Sequence, residues 1–135
     1  MKITRFEDLE VWQRARELTK LVYQITKVDT FNQDQRLRNQ IRDSCVSVMA
    51  NIAEGFSRNS DKEFRQFLFV AKGSAAEVQS HSYVSLDQHY LNQTEFAKLY
   101  EETDHISRML SNLIQYLARS TRRDRRNDAI DAQTR

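Results

Sequence analysis

The sequence predicts an all-α protein: an antiparallel, up-and-down bundle of four helices over residues 1–119, with a basic, flexible C-terminal tail over 120–135. Three observations lead there. The 135-residue chain has no proline and only two glycines, Gly55 and Gly73, whereas average usage would give about seven prolines. These two residue types are the ones that most disfavour a helix interior. Apolar residues recur at three- and four-residue intervals in four separate stretches. Short polar links with capping patterns separate the stretches, and short links make consecutive helices antiparallel.

The first helix is expected to open at Thr4, with Glu7 three residues on as a capping box. Leu9, Trp12, Ala15, Thr19, Val22 and Ile25 follow at helical spacing. The period fades over 28–32. A second helix starts near Gln33 and places Leu37, Ile41, Cys45, Val48 and Ile52 on one face. Gly55 is its natural stop, since glycine accepts the left-handed conformation that ends many helices. After a break at 56–60, Ser60 and Glu63 form a second capping box. The third helix then carries Phe64, Phe67, Leu68, Ala71, Ala75, Val78, Ser82 and Leu86 on its stripe and runs to about Leu91. Asn92 with Glu95 caps the fourth, where Leu91 can staple onto Phe96. Phe96, Leu99, Thr103, Ile106, Leu110, Leu113 and Leu117 complete the pattern. Each helix is about 22 to 30 residues long, or about 33 to 45 Å.

Composition narrows the class. The chain is 39% hydrophobic and 30% charged, ordinary for a globular domain. No apolar run approaches the ~20 residues of a membrane span, and the N-terminus has no signal-peptide core. The single Cys45 cannot form an internal disulfide. A cytoplasmic protein that does not engage membranes is expected. Charge is unevenly spread: residues 119–135 hold six Arg and three Asp, a net +3, so residues 1–118 sum to −1.

Two helices carry more apolar surface than one stripe needs. On the second, Val46, Met49 and Ala53 fall away from the core face; on the third, Phe69, Gly73, Ala76, Tyr83 and Val84 do so. Surplus apolar surface of this kind points to a contact with another chain, the alternative being a wide stripe in a tightly packed monomer. The run Ala71-Lys72-Gly73-Ser74-Ala75-Ala76 adds small residues that allow close helix approach.

Three blocks resemble a known family. They are Phe6-Glu7-Asp8-Leu9-Glu10-Val11-Trp12-Gln13; then Gln40-Ile41-Arg42, Ser47-Val48 and Asn51-Ile52-Ala53-Glu54-Gly55-Phe56; then Phe64, Phe67-Leu68, Ala71 and Gly73-Ser74-Ala75-Ala76-Glu77-Val78. Over about residues 6–118 the chain is similar to the four-helix-bundle proteins encoded in intervening sequences of 23S rRNA genes. The resemblance implies a left-handed bundle assembled as a ring-like homopentamer. It also extends to the accessory protein of diversity-generating retroelements, a basic pentamer that binds nucleic acid and partners a reverse transcriptase. This chain departs from that accessory protein in its near-neutral body, and its Arg-rich tail lies beyond the family pattern.

Within the second block, Asn51, Glu54 and Gly55 sit at the end of the second helix. Asn51 can hold the turn backbone through its amide. Glu54 opposes the helix dipole there and should find a cation, Arg58 or Lys62. A structural corner and a binding role for Asn51 and Glu54 both remain open.

Catalytic chemistry finds little support. A di-iron bundle needs Glu-x-x-His on two helices, and only Glu102-x-x-His105 occurs. His81, His89 and His105 lack the four-residue spacing of a helical metal site, and His89 reads as a capping or partly buried residue near the core face. Cys45 sits mid-stripe as a small hydrophobe, while Trp12 and Tyr23 read as core and rim anchors. No phosphate loop or nucleophile elbow is present. The expectation is a protein without catalytic residues, metal or cofactor. Two functions remain: an oligomeric scaffold that presents a surface to a partner protein, or an accessory protein that binds RNA or DNA without sequence preference. For the second, the candidate contacts are Arg36, Arg38, Arg42, Arg119, Arg122, Arg123, Arg125 and Arg126.

Overall fold

The computed structural model describes residues 2–119, and every regular element among them is helical. A 3-10 turn at Phe6–Asp8 precedes α1 (Glu10–Thr26); then come α2 (Asp29–Gln33), α3 (Gln35–Phe56), α4 (Asp61–Asp87) and α5 (Gln93–Arg119). The four long helices correspond to the four apolar stretches. Helix α1 packs against α3 and α5, and α4 packs against the same two. One core lies between them, built from Leu18, Ile41, Ile52, Leu68, Ile106 and Leu110 among others. The tail predicted over 120–135, with Arg122, Arg123, Arg125 and Arg126, lies outside the described residues.

Several boundaries differ from expectation. The first helix does not open at Thr4. Instead the Asp8 carboxylate accepts from the Thr4 and Arg5 backbone amides at 3.1 and 3.3 Å. The Thr4 amide is the leading cause that lowers the Asp8 pKa. This knot folds the 3-10 turn, buries Ile3 and delays α1 to Glu10. The α1 stripe is also rotated: Val11, Ala15, Leu18, Val22 and Thr26 are buried, while Trp12, Thr19 and Ile25 flank them, half-buried. The expected break at 28–32 contains the short α2, which exists because buried Phe31 stacks on Tyr90 at 5.1 Å. Helix α3 then starts from Asp34, whose Oδ1 accepts from the Leu37 amide at 3.1 Å. The second Asp34 oxygen accepts from the Tyr90 hydroxyl at 3.1 Å.

The α3–α4 link at 57–60 lies where expected, but Gly55 is not a left-handed stop. It lies inside α3 with no positive φ, and α3 ends one residue later. Ser60 caps α4 by accepting from the Glu63 amide at 3.2 Å. Helix α4 stops at Asp87, four residues before the predicted Leu91. The cause is His89, whose φ of 63° breaks the helix while Tyr90 donates back to the Ser85 carbonyl. His89 therefore caps the helix, but it is exposed and not near the core. The α5 capping box forms in both directions: Glu95 N to Asn92 Oδ1 at 2.8 Å and Asn92 N to Glu95 Oε1 at 3.0 Å.

Candidate interaction surfaces

The outer face of α4 is the most unusual surface. Phe69, Gly73, Ala76, Ser80 and Tyr83 are all exposed and succeed one another at four- and three-residue intervals. That is the a/d spacing of a coiled-coil seam, here turned to solvent. Phe69 is 58% exposed, Tyr83 51%, and their neighbours Val70 and Val84 are 53% and 44%. No charged residue occupies any of the five seam positions. Gly73 has no reason within its own chain, because a methyl group there would meet nothing within 4 Å. An exposed mid-helix glycine costs about 1 kcal/mol relative to alanine. The absence of a side chain matters only if something outside the chain approaches this backbone closely.

On the α5 side of the seam, Tyr83 packs on Phe96 at 4.8 Å and on Tyr100 at 5.9 Å. Helical spacing alone separates Tyr83 from the core but cannot reveal its ring partners on α5. Sequence reasoning missed Val70, which lies about 100° around the helix from Phe69.

The α3 candidates divide. Val46 is 44% exposed. Ala53 is half-buried. Met49 is not surplus: it packs against the core, and its sulfur accepts from the Thr19 hydroxyl at 3.3 Å. Helix α1 covers it, a contact no single-helix projection contains.

The corner at the end of α3 is tightly built. Asn51 does not hold the following turn. Its amide donates backward to the Ser47 carbonyl at 2.8 Å and to Ser47 Oγ at 3.1 Å. Ser47 Oγ in turn lies 2.8 Å from Ser74 Oγ, so the chain of bonds ties α3 to α4. Glu54 has its expected cation: Arg58 Nη2 donates to Glu54 Oε1 at 2.6 Å, and the Arg58 guanidinium lies 4.9 Å from the Phe67 ring centre. Gly55 serves close approach. A Cβ there would lie 2.8 Å from Phe67 Cβ and 3.2 Å from the Phe64 carbonyl oxygen.

Of the basic candidates, Arg38 and Arg42 lie one turn apart on α3, while Arg36 and Arg119 stand away from them. Arg38 Nη1 donates to the Asn32 carbonyl and side chain at 3.0 and 2.8 Å. Arg42 donates to Thr26 Oγ1 at 2.8 Å, with its guanidinium 4.5 Å from the Tyr23 ring centre. Arg36 is exposed but lies six residues from Arg42, about 120° around the helix. Arg119 is exposed at the end of α5. Sequence reasoning overlooked Arg16 of α1 and Lys27 just after it, which fall on the Tyr23 side of that helix at intervals of seven and four residues.

Among the described residues, no group of three or more His, Cys, Asp or Glu side chains is placed to hold a metal ion. Glu102 is drawn toward Arg14 on α1, 3.5 Å away. Cys45 is buried, and desolvation pushes its thiol pKa up to about 12, the opposite of an activated nucleophile. No described helix is long and apolar enough to cross a membrane.

Comparison with known proteins agrees with this architecture. A family model described as 23S rRNA-intervening sequence protein matches residues 7–112. The crystal structure of a protein of unknown function from the S23 ribosomal protein family of Bacteroides thetaiotaomicron VPI-5482 superposes with a TM-score of 0.72. The match covers 78% of this chain and 98% of that one, at 20% identity. That likeness concerns the fold. No curated protein matches the chain.

Proposed function

The chain belongs to the 23S rRNA-intervening sequence protein family, and on that premise we propose that it is a non-catalytic scaffold that self-assembles and presents its assembled surface to a partner protein. Each subunit is an antiparallel, left-handed, up-and-down four-helix bundle, and the assembly is the homopentamer that the family resemblance implies. The observation that carries this reading is the α4 seam: an a/d row of exposed apolar and small residues with an otherwise unexplained glycine at its middle. A second helix laid along Phe69, Ala76 and Tyr83 removes their apolar surface from water, and Gly73 lets the two backbones approach.

Light scattering of the full chain should give a mass near five times 16.0 kDa. Phe69→Glu and Gly73→Gln should both shift the mass toward one chain with helix content retained. Gly73→Gln is the sharper probe, since glutamine is the better helix former and so weakens assembly without weakening the helix. A mass of 16.0 kDa for the unmodified chain at micromolar concentration overturns the proposal.

A second reading has its own observation. Arg16 and Lys27 share the side of α1 that carries Tyr23, the ring on which Arg42 of α3 packs, and Arg38 lies one turn before Arg42. Four cations along one seam suit a polyanion, and repetition in an oligomer multiplies weak contacts. Binding to RNA or DNA should then fall steeply between about 50 and 200 mM salt, and it should weaken without residues 120–135. No binding even at low salt leaves the protein-interaction scaffold.

A further inference from the structure

The seams of this molecule are not equally tight, and residue size explains why. Between α3 and α4 the Ser47 and Ser74 hydroxyls meet at 2.8 Å, and the groove that opens beside Ser44 and Ser47 on that side is smaller, about 300 Å³. Along α1 and α5 the facing side chains are long: Arg14 and Leu21 on one helix, Lys98 and Glu102 on the other. These cannot interdigitate as serines do, and they leave a groove of about 470 Å³. That volume lies within the range of small-molecule sites, about 300–1,000 Å³.

The groove is amphipathic. Buried Leu18 and half-buried Leu21 supply its apolar lining. Its charged residues are partly paired off. Lys20 meets Glu17 at 3.2 Å, and Arg14 meets Glu102 at 3.5 Å. Lys98, one turn before Glu102, has no acidic or hydrogen-bond partner among the described residues, because Glu102 is drawn to Arg14. Arg14 itself is loosely held. Its contact with Glu102 is at the limit of a hydrogen bond, and its Nε is buried without an acceptor. One ammonium is thus free, and one guanidinium lacks the two-pronged carboxylate it is shaped for.

We propose that the α1–α5 groove is a binding site for a small amphiphilic carboxylate, with the head group at Lys98 and Arg14 and the hydrocarbon body over Leu18 and Leu21. The ligand carboxylate accepts from the Lys98 ammonium and competes with Glu102 for Arg14. Glu102 is therefore the internal rival of the ligand, which gives the site a signature that non-specific greasy binding lacks. The site stands apart from the α4 seam, since α4 packs on α3 and α5 and the groove lies on the α1 side of α5. It does not depend on self-assembly.

The test is equilibrium dialysis of the full chain against labelled octanoate, with labelled octanol as the uncharged control. Octanoate should bind saturably and octanol should not. Lys98→Gln should weaken octanoate binding about two- to fivefold, the scale of a partly exposed charge pair. Glu102→Gln should tighten it by a similar factor, because the rival carboxylate is gone. Both positions are on the surface of α5, and unchanged circular dichroism confirms that the variants fold. Equal binding of octanol and octanoate, no saturable binding of octanoate, or affinities that do not move in opposite directions in the two variants would each overturn the site.

Discussion

Gly55→Ala is the substitution whose sign is least obvious from sequence and best defined by structure. In an open helix interior the change stabilises by about 1 kcal/mol, because alanine has less backbone freedom to lose. At Gly55 the new Cβ would lie 2.8 Å from Phe67 Cβ, 3.0 Å from Phe64 Cδ1 and 3.2 Å from the Phe64 carbonyl oxygen. Two of these three atoms belong to or are fixed by the α4 backbone, so rotating a side chain does not relieve the clash. The first turns of α4 must move away from α3, which loosens the contact of Phe56 with Phe64, whose rings lie 6.0 Å apart. Overpacking of this kind costs about 1–3 kcal/mol. Set against the propensity gain of about 1 kcal/mol, the net effect is a loss of up to about 2 kcal/mol. Gly73→Ala is the internal control: it meets nothing within 4 Å, so it should stabilise the dilute, unassembled chain by about 1 kcal/mol. Urea unfolding followed by far-ultraviolet circular dichroism measures both. A Gly55→Ala chain more stable than the unmodified one would refute the clash.

Two further outcomes follow from single side chains. Asp34→Ala removes both the α3 cap and the acceptor for Tyr90; it should cost about 1–2 kcal/mol in the same unfolding assay, and Asp34→Asn less, since asparagine still caps. Burial lifts the Cys45 thiol from 9.0 to about 12, so the neutral form is the folded one. Its contribution to stability is complete below pH 9.0 and is lost as pH rises toward 12, where the unfolded thiolate forms first. Stability should therefore decline more steeply above pH 9 in the unmodified chain than in Cys45→Ala, and the native thiol should resist alkylating reagents until urea unfolds the protein.

The candidate surfaces are partly legible in local spacing. Phe69, Gly73, Ala76 and Tyr83 stand off the α4 stripe by helical period alone, and all four are exposed. Met49 misleads because its position on α3 says nothing about α1, which covers it. The α1–α5 groove is invisible in the sequence, since its lining comes from residues 14–24 and 98–102, far apart in the chain.

By itself the sequence determined the four long helices, because period and punctuation are local: without proline and with glycine rare, nothing interrupts a 3.6-residue repeat except the polar links. It also determined the α4 and α5 caps, since Ser60–Glu63 and Asn92–Glu95 act within one turn. Only the tertiary structure decided what depends on a neighbour. Phe31 stacking on Tyr90 made a helix of an expected break. The closeness of Phe64 and Phe67 explains Gly55, where the residue type suggested a left-handed stop. The rotation of α1 followed from which of its faces met α3 and α5. A helix repeats every few residues, but what it touches is set by chain that lies dozens of residues away.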